Sequence, residues 1–280
     1  MNRAKFQETV TAELQRLFQA ARARDELAFL FAVLGINSGT DEAGWQPIGE
    51  TQAVVQDLLG LINGPLHQHA KVRTGLLLYC HIIEANFIYH CLYNLLLTLE
   101  GQAPPKVFSF LDKYKNGIPP SVSVKIGEIK AKAIEHKFLD INVIFDQIIR
   151  PEIRDAFLHS DYILFEDELR LKLRGAQYAR IRLPEVLELV QKSVDWFNLF
   201  MGLFHGPRGG LASLVSQGTS DHRQKIAQRA KSGLGRGAGR RARLRDRIQA
   251  RGFLAAVVRR GTDRAAWPCQ ISFSLIHRAL

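Results

Sequence analysis

Cysteine is scarce in this sequence, and its three cysteines, Cys80, Cys91 and Cys269, are far apart along the chain. No two of them form a C-x-x-C pair, which argues against a structural zinc site or a disulfide-stapled secreted domain. The first ten residues, MNRAKFQETV, have no apolar core, so no signal peptide is expected there. These features together predict a protein of the reducing cytoplasm.

An uninterrupted hydrophobic run is also missing. The longest apolar stretch, Val72–Leu99, is long enough to cross a bilayer, but five polar residues interrupt it: His81, Glu84, Asn86, His90 and Asn94. Because polar groups are costly in hydrocarbon, the stretch predicts the central helix of a bundle and no membrane contact. Glu84 and His81 lie one turn apart on this helix. They are either a buried polar pair of the core or supporting groups of a functional site.

Acidic residues are rare in the last quarter of the chain. Residues 207–280 contain 16 Lys and Arg against 3 Asp and Glu, a net charge of +13, whereas residues 1–206 contain 22 against 24, a net charge of −2. The Arg/Gly/Ala-rich composition of this tail cannot offset the entropy of ordering, so we predict a domain over 1–205 and a disordered tail over 206–280. Two interpretations of the tail stay open. It is an RNA-binding arm, or it is non-native sequence from a frameshift in GC-rich DNA.

Hydrophobic residues at three- and four-residue steps predict helices over most of the predicted domain, with residues from 1 to about 65 as an N-terminal helical extension. The predicted helices are Phe6–Leu34, Glu50–Ile62, Val72–Leu99, Phe108–Tyr114, Val122–Lys137, Leu139–Ile149, Pro151–His159 and Pro184–Phe204. The helix Val122–Lys137 carries four lysines, at positions 125, 130, 132 and 137. They could contact RNA phosphates, but a solvated face is the commoner explanation.

A change to two-residue alternation predicts strands after the seventh of these helices. Tyr162–Phe165 and Leu169–Leu173 form the predicted pair, with three acidic residues between them as the turn, and Gln177–Leu183 would add a third strand. The predicted fold class is mainly α, an antiparallel helical bundle with an appended β-hairpin or small antiparallel sheet.

The stretch Ile149–Leu171 contains the clearest candidate site. Pro151 is favoured at the first position of a helix, and Ser160 and Asp161 favour a turn that would end it. Between them, Arg154 and His159 form the pattern R-x-x-x-x-H. Such a short pattern occurs often by chance, so its context matters more than its spacing.

The run EIRDAFLHSDYILFEDELRL, late in a helical domain, resembles the HEPN family (higher eukaryote and prokaryote nucleotide-binding domains). The resemblance spans Lys71 to about Phe204. Many members are metal-independent ribonucleases, and the resemblance implies that role here, with Arg154 and His159 as the catalytic residues. Asp155 stands where the family often has Asn, which would place a negative charge beside a phosphate.

The resemblance implies several further features of the protein. RNA would be the substrate, a homodimer the active form, and no metal or cofactor would be needed. Toxin–antitoxin systems and antiviral defence are frequent settings of the family, so an antitoxin or other protein partner is implied as well. Asp155, Ser160, Asp161, Tyr162 and Glu84 are the supporting residues of the predicted site. The alternative function is a non-catalytic module that binds nucleotide, RNA or a protein through the same region.

The residue types fit ribonuclease chemistry. Histidine moves protons near neutral pH, and the planar guanidinium of arginine binds two phosphate oxygens. Positions five apart on an α-helix point about 140° apart, however, so Arg154 and His159 do not share a face of a straight helix. A two-fold dimer would bring two copies of the motif together.

A purely structural interpretation remains for each of these residues. Arg154 would pair with a nearby carboxylate, and Asp155 and His159 would form a pair on the helix surface. Ser160 would serve only to end the helix. Tyr162 would pack as a strand residue and would not stack on a base.

Overall fold

The computed structural model describes residues 1–34, 47–101, 120–173 and 177–206. The described residues up to Leu203 lie in one compact unit. Its helices are α1 (Arg3–Arg24), α2 (Glu26–Leu34), α3 (Pro47–Asn63), α4 (Gln68–Ile83), α5 (Asn86–Leu99), α6 (Val122–Glu135), α7 (Asp140–Ile148), α8 (Pro151–Leu158) and α9 (183–206). The strands are β1 (Tyr162–Phe165), β2 (Glu168–Lys172) and β3 (Tyr178–Arg182). The prediction of a mainly helical fold with a small antiparallel sheet is therefore confirmed.

The predicted first helix is in fact two. Asp25 adopts an extended backbone between α1 and α2, and its carboxylate accepts a hydrogen bond from the amide of Ala28 at 2.9 Å. Asp25 thus caps the N-terminus of α2, because its carboxylate binds one of the amides that have no partner within the helix. The apolar periodicity continues across the break, which is why it predicted one helix.

The central apolar stretch is also divided. It turns at Glu84 and Ala85 between α4 and α5, and the hydroxyl of Tyr89 donates a 2.7 Å hydrogen bond to the carbonyl of Ile83. That bond satisfies a carbonyl at the end of α4 that would otherwise lack a helical partner. The stretch Gln68–Leu99 is long and apolar enough to cross a membrane, but 72% of its most apolar window is buried inside the protein. This burial is consistent with the core of a soluble protein.

Helix α5 lies in the middle of the bundle and packs against α1, α2 and α6, whereas α4 packs against α3 and α8. Edge-to-face ring contacts link three of the elements, with Phe18 of α1 at 6.0 Å from Phe29 and 6.2 Å from Phe200 between ring centroids. Buried rings of this kind add about 0.5–1.5 kcal/mol each beyond the area that they bury. The bidentate pair of Arg3 with Asp195, at 2.6 and 2.9 Å, joins the start of α1 to α9.

The lysines of α6 do not form one solvated face. Lys125 is only 3% exposed and donates a hydrogen bond to Asn86 of α5. Lys130 pairs with Asp146 at 2.5 Å, and Lys132 hydrogen-bonds to Glu100. The prediction of a solvated lysine face was therefore wrong. One face of α6 packs on α5, and Lys125 lies on that face.

The three strands form an antiparallel sheet in the order β1-β2-β3. Tyr162 pairs with Leu171 and Phe165 with Glu168, while Glu168 pairs with Arg182 on the other side of β2. Alternate residues of β2 are buried at Leu169 and Leu171, as the alternation predicted. The predicted third strand is confirmed. The predicted helix Phe108–Tyr114 and the tail beyond 206 lie outside the described residues.

Candidate functional site

Helix α8 carries the R-x-x-x-x-H pattern and is fixed at its start to α4. Its first residue is Pro151, and the preceding amide of Arg150 donates to the hydroxyl of Tyr79 at 2.9 Å. Ile153 and Ala156 are buried on the inner side of α8. A helix of only eight residues would not persist alone in water, so this packing is what holds its side chains in place.

Arg154 is held between two carboxylates. Its Nε lies 3.1 Å from Oε1 of Glu84, and its Nη2 lies 3.3 Å from Oδ1 of Asp155. The arginine side chain is 20% exposed, against 43% for Glu84 and 49% for Asp155. The buried Nε makes no well-directed hydrogen bond within the described residues, so the contact with Glu84 is an ion pair at a poor angle.

Glu84 therefore pairs with Arg154 and not with His81, the alternative that helical spacing suggested. The imidazole of His81 hydrogen-bonds to the backbone of Thr51, and burial lowers its pKa. Glu84 is the cap at the end of α4, and its backbone stays helical, with its amide bonded to the carbonyl of Cys80 at 2.9 Å. Its partner is Arg154 because α8 packs against α4, a tertiary contact that the apolar pattern does not show.

Lys125 is a second cation that interacts with the charge of Glu84. Burial lowers the pKa of Lys125, and the charge of Glu84 partly opposes that effect. Burial lowers the pKa of His90 to about 4, with a further contribution from Lys125, so His90 is neutral at physiological pH. The sequence did not predict this role of Lys125, because its hydrogen bond to Asn86 depends on the packing of α5 against α6.

Cys80 lies within the same electrostatic environment but is not a nucleophile. Burial raises the pKa of its thiol to about 12, with Arg154 opposing and the carboxylates of Glu84 and Asp155 adding to the effect. A thiol with such a pKa stays protonated at neutral pH and does not attack a substrate. The candidate chemistry therefore remains with Arg154 and His159.

His159 follows directly after α8 and is exposed. Ser160 has a φ of 60°, and its amide donates to the carbonyl of Phe157 at 3.2 Å. The amide of Asp161 donates to the carbonyl of Ala156 at 2.8 Å. These two bonds form a Schellman motif, in which a left-handed residue ends the helix. The helix thus ends one residue before the predicted end, and His159 is held on an ordered cap.

Arg154 and His159 do not meet within one chain. Among the residues that the structure describes, no side-chain hydrogen bond or ion pair joins them, and none joins the imidazole of His159 to the carboxylate of Asp155. The backbone amide of His159 donates to the carbonyl of Asp155 at 3.0 Å, which is the last helical hydrogen bond of α8. This agrees with the angle of about 140° between positions five apart on a helix. Tyr162 stacks against Phe157 with ring centroids 5.3 Å apart, so it packs as a strand residue. Asp161 accepts a backbone hydrogen bond from Lys172 at 2.8 Å, which ties the cap to β2.

One group within the described ranges has the side chains of a metal site. The ligand atoms of Glu100, Glu135 and His136 lie within 4.8 Å of one another. Glu100 already hydrogen-bonds to Lys132, and His136 Nε2 lies 3.5 Å from the same carboxylate oxygen. A cation would have to displace Lys132, so the group acts as an ion-pair cluster.

No protein-family model, curated protein or solved structure matches the chain.

Proposed function

We propose that this protein is a cytoplasmic, metal-independent endoribonuclease of the HEPN type and that it acts as a homodimer. The observation that carries the proposal is the placement of His159. It is an exposed imidazole on a hydrogen-bonded helix cap, five residues after an arginine that forms ion pairs with Glu84 and Asp155. These are the two side chains that cleavage of RNA by its own 2′-hydroxyl requires.

The proposed reaction assigns one role to each side chain. The 2′-oxygen attacks the adjacent phosphorus, and the bond to the 5′-oxygen of the next nucleotide breaks. His159 accepts the proton that the 2′-hydroxyl loses, and a protonated imidazole donates a proton to the leaving 5′-oxygen, since an imidazole is the side chain best suited to proton transfer near neutral pH. Arg154 stabilises the additional negative charge on the phosphate. A second His159, from the other copy in a dimer, would serve as the separate acid.

The ion pairs of Arg154 favour a second candidate function. Its guanidinium already contacts two carboxylates, Glu84 and Asp155. A phosphate must compete with both of them, which is unfavourable if the carboxylates keep their charge. The second candidate is therefore a non-catalytic module of the same type that binds RNA or a partner such as an antitoxin.

One experiment separates these two functions. The full-length protein is incubated with single-stranded RNA in the presence of EDTA, beside a His159→Ala variant. We expect cleavage by the wild-type protein and a loss of about 10²–10⁴-fold in the variant. Binding of RNA without cleavage by the wild-type protein would instead support the non-catalytic module.

A further inference from the structure

The three-stranded sheet has one buried face and one face turned to solvent. Pairing of opposite residues places eight side chains on the solvent side, and we name this the outer sheet face: Ile163, Phe165, Glu168, Arg170, Lys172, Tyr178, Arg180 and Arg182. Leu169, Leu171 and Ile181 point to the other side and are buried. The outer sheet face is not part of the core, so its side chains are available to contact another molecule.

Positive charge is concentrated on the outer sheet face. It carries four cations and one carboxylate, although residues 1–206 have a net charge of −2. Glu168 pairs with Arg170 at 3.0 Å, whereas no carboxylate within the described ranges pairs with Lys172, Arg180 or Arg182. Arg170 and Arg180 stand directly opposite each other on neighbouring strands. Like charges in such a pair are destabilising unless an anion lies between them.

Two exposed rings lie at opposite corners of this face, each beside a cation. Tyr178 is 73% exposed and Phe165 is 46% exposed, both beside cationic neighbours. The guanidinium carbon of Arg170 lies 4.1 Å from the centre of the Phe165 ring. Exposed rings beside arginine and lysine are the combination that stacks unpaired bases and neutralises their phosphates.

One end of the outer sheet face adjoins the candidate active site. Lys172 pairs with Tyr178 at this end, and the amide of Lys172 donates to the carbonyl of Asp161, two residues after His159. Arg182 lies at the other end of the sheet, where it pairs with Glu168. The cations therefore extend along the sheet as far as the end nearest His159.

We propose that the outer sheet face binds single-stranded RNA, through phosphate contacts with Lys172, Arg180 and Arg182 and base stacking on Phe165 and Tyr178. This inference deepens the proposed function, because it supplies the surface that leads the substrate to His159. A duplex would interact less well, since its bases are already stacked and cannot lie on the two rings.

Binding is measured by fluorescence anisotropy with a labelled single-stranded RNA. All proteins are full-length and carry His159→Ala, so that the RNA stays intact. The variant Lys172→Glu/Arg180→Glu should bind at least about tenfold more weakly, with the slope of log affinity against log salt reduced by about 1.4 for two lost phosphate contacts. The matched control is Lys5→Glu/Arg22→Glu on α1, at side chains that are 62% and 57% exposed. It changes the net charge equally and should weaken binding less than about threefold, because it removes no direct contact.

The stacking contribution is tested with Phe165→Ala and Tyr178→Ala. Each should weaken binding of single-stranded RNA at least about fivefold and leave duplex RNA almost unaffected. Circular dichroism melts of every variant ensure that only folded proteins are compared.

The proposal is overturned if the α1 control weakens RNA binding as much as the sheet variant does, or if the loss of both rings leaves RNA binding unchanged. It is also overturned if loss of the rings reduces the sedimenting mass without changing RNA affinity, since the face would then be a protein interface.

Cleavage is measured separately in proteins that retain His159. If the wild-type protein cleaves RNA and the sheet variants have the same kcat/KM, the sheet proposal fails while the ribonuclease stands. If the sheet variants lose binding but the wild-type protein never cleaves, the sheet proposal stands and the ribonuclease fails.

Discussion

Arg154 contacts two carboxylates, whereas an arginine that binds a phosphate is expected to have its guanidinium free. It lies between Glu84 and Asp155, each about half exposed. The guanidinium is only 20% exposed, so water screens these ion pairs less than pairs on the open surface, and a phosphate has to compete with both carboxylates. The charge of Asp155 opposes an incoming phosphate.

Replacing Asp155 with Asn tests this opposition directly. Asp155→Asn keeps the shape of the side chain and removes its charge, so we expect cleavage of RNA to be retained or increased. The control is Glu152→Gln, which removes a carboxylate from the same helix that pairs with Arg150 and not with Arg154. It should leave kcat/KM unchanged. A large loss of activity in Asp155→Asn, with the fold intact, would show that the carboxylate takes part in catalysis or orients Arg154.

The cap of α8 holds His159 at a fixed place relative to β1. Ser160 achieves this with a left-handed backbone, which costs a residue with a Cβ roughly 1 kcal/mol compared with glycine. Lys137 has the same conformation at the end of α6, with φ at 62° and the amide of Phe138 bonded to the carbonyl of Ala133. In the described part of the chain, α6 and α8 therefore both end at a left-handed residue that is not glycine.

Ser160→Gly should raise the free energy of unfolding by about 0.5–1 kcal/mol, because glycine adopts the left-handed conformation without strain. Ser160→Ala is the matched control, since it removes the hydroxyl but keeps the Cβ, and it should give no gain. Urea denaturation followed by circular dichroism measures both. A gain in the alanine variant equal to that in the glycine variant would mean that the hydroxyl, and not the backbone, causes the strain.

Local patterns predicted the elements well, but they did not predict the breaks between them. The strand Tyr162–Phe165 follows directly from turn residues and two-residue alternation. The breaks at Asp25 and Glu84 depend on single capping contacts, and the apolar pattern runs through both. The pattern also did not show that Arg154 is the partner of Glu84, because this ion pair depends on the packing of α8 against α4. The burial of Lys125 was missed for a related reason, since periodicity does not tell which polar residue faces a neighbouring helix.

The proposed mechanism requires two copies of the chain. Each copy offers one His159, and proton removal and proton donation need two groups unless one imidazole performs both in turn. A two-fold axis beside α8 would place the same patch of each copy opposite the other. Sedimentation at micromolar concentration should therefore give about twice the chain mass of 31.6 kDa. A monomer that remains fully active at nanomolar concentration would contradict the dimer.

The chemistry of the cleaved ends tests the central claim most directly. Wild-type protein is incubated in EDTA with an RNA and with the same sequence as DNA, and the ends of the products are identified by mass spectrometry. Attack by the 2′-oxygen predicts a 2′,3′-cyclic phosphate on the 5′ fragment, no cleavage of the DNA, and loss of the product in His159→Ala. Cleavage that EDTA abolishes and that leaves 3′-hydroxyl ends, or cleavage that persists in His159→Ala, would contradict the account.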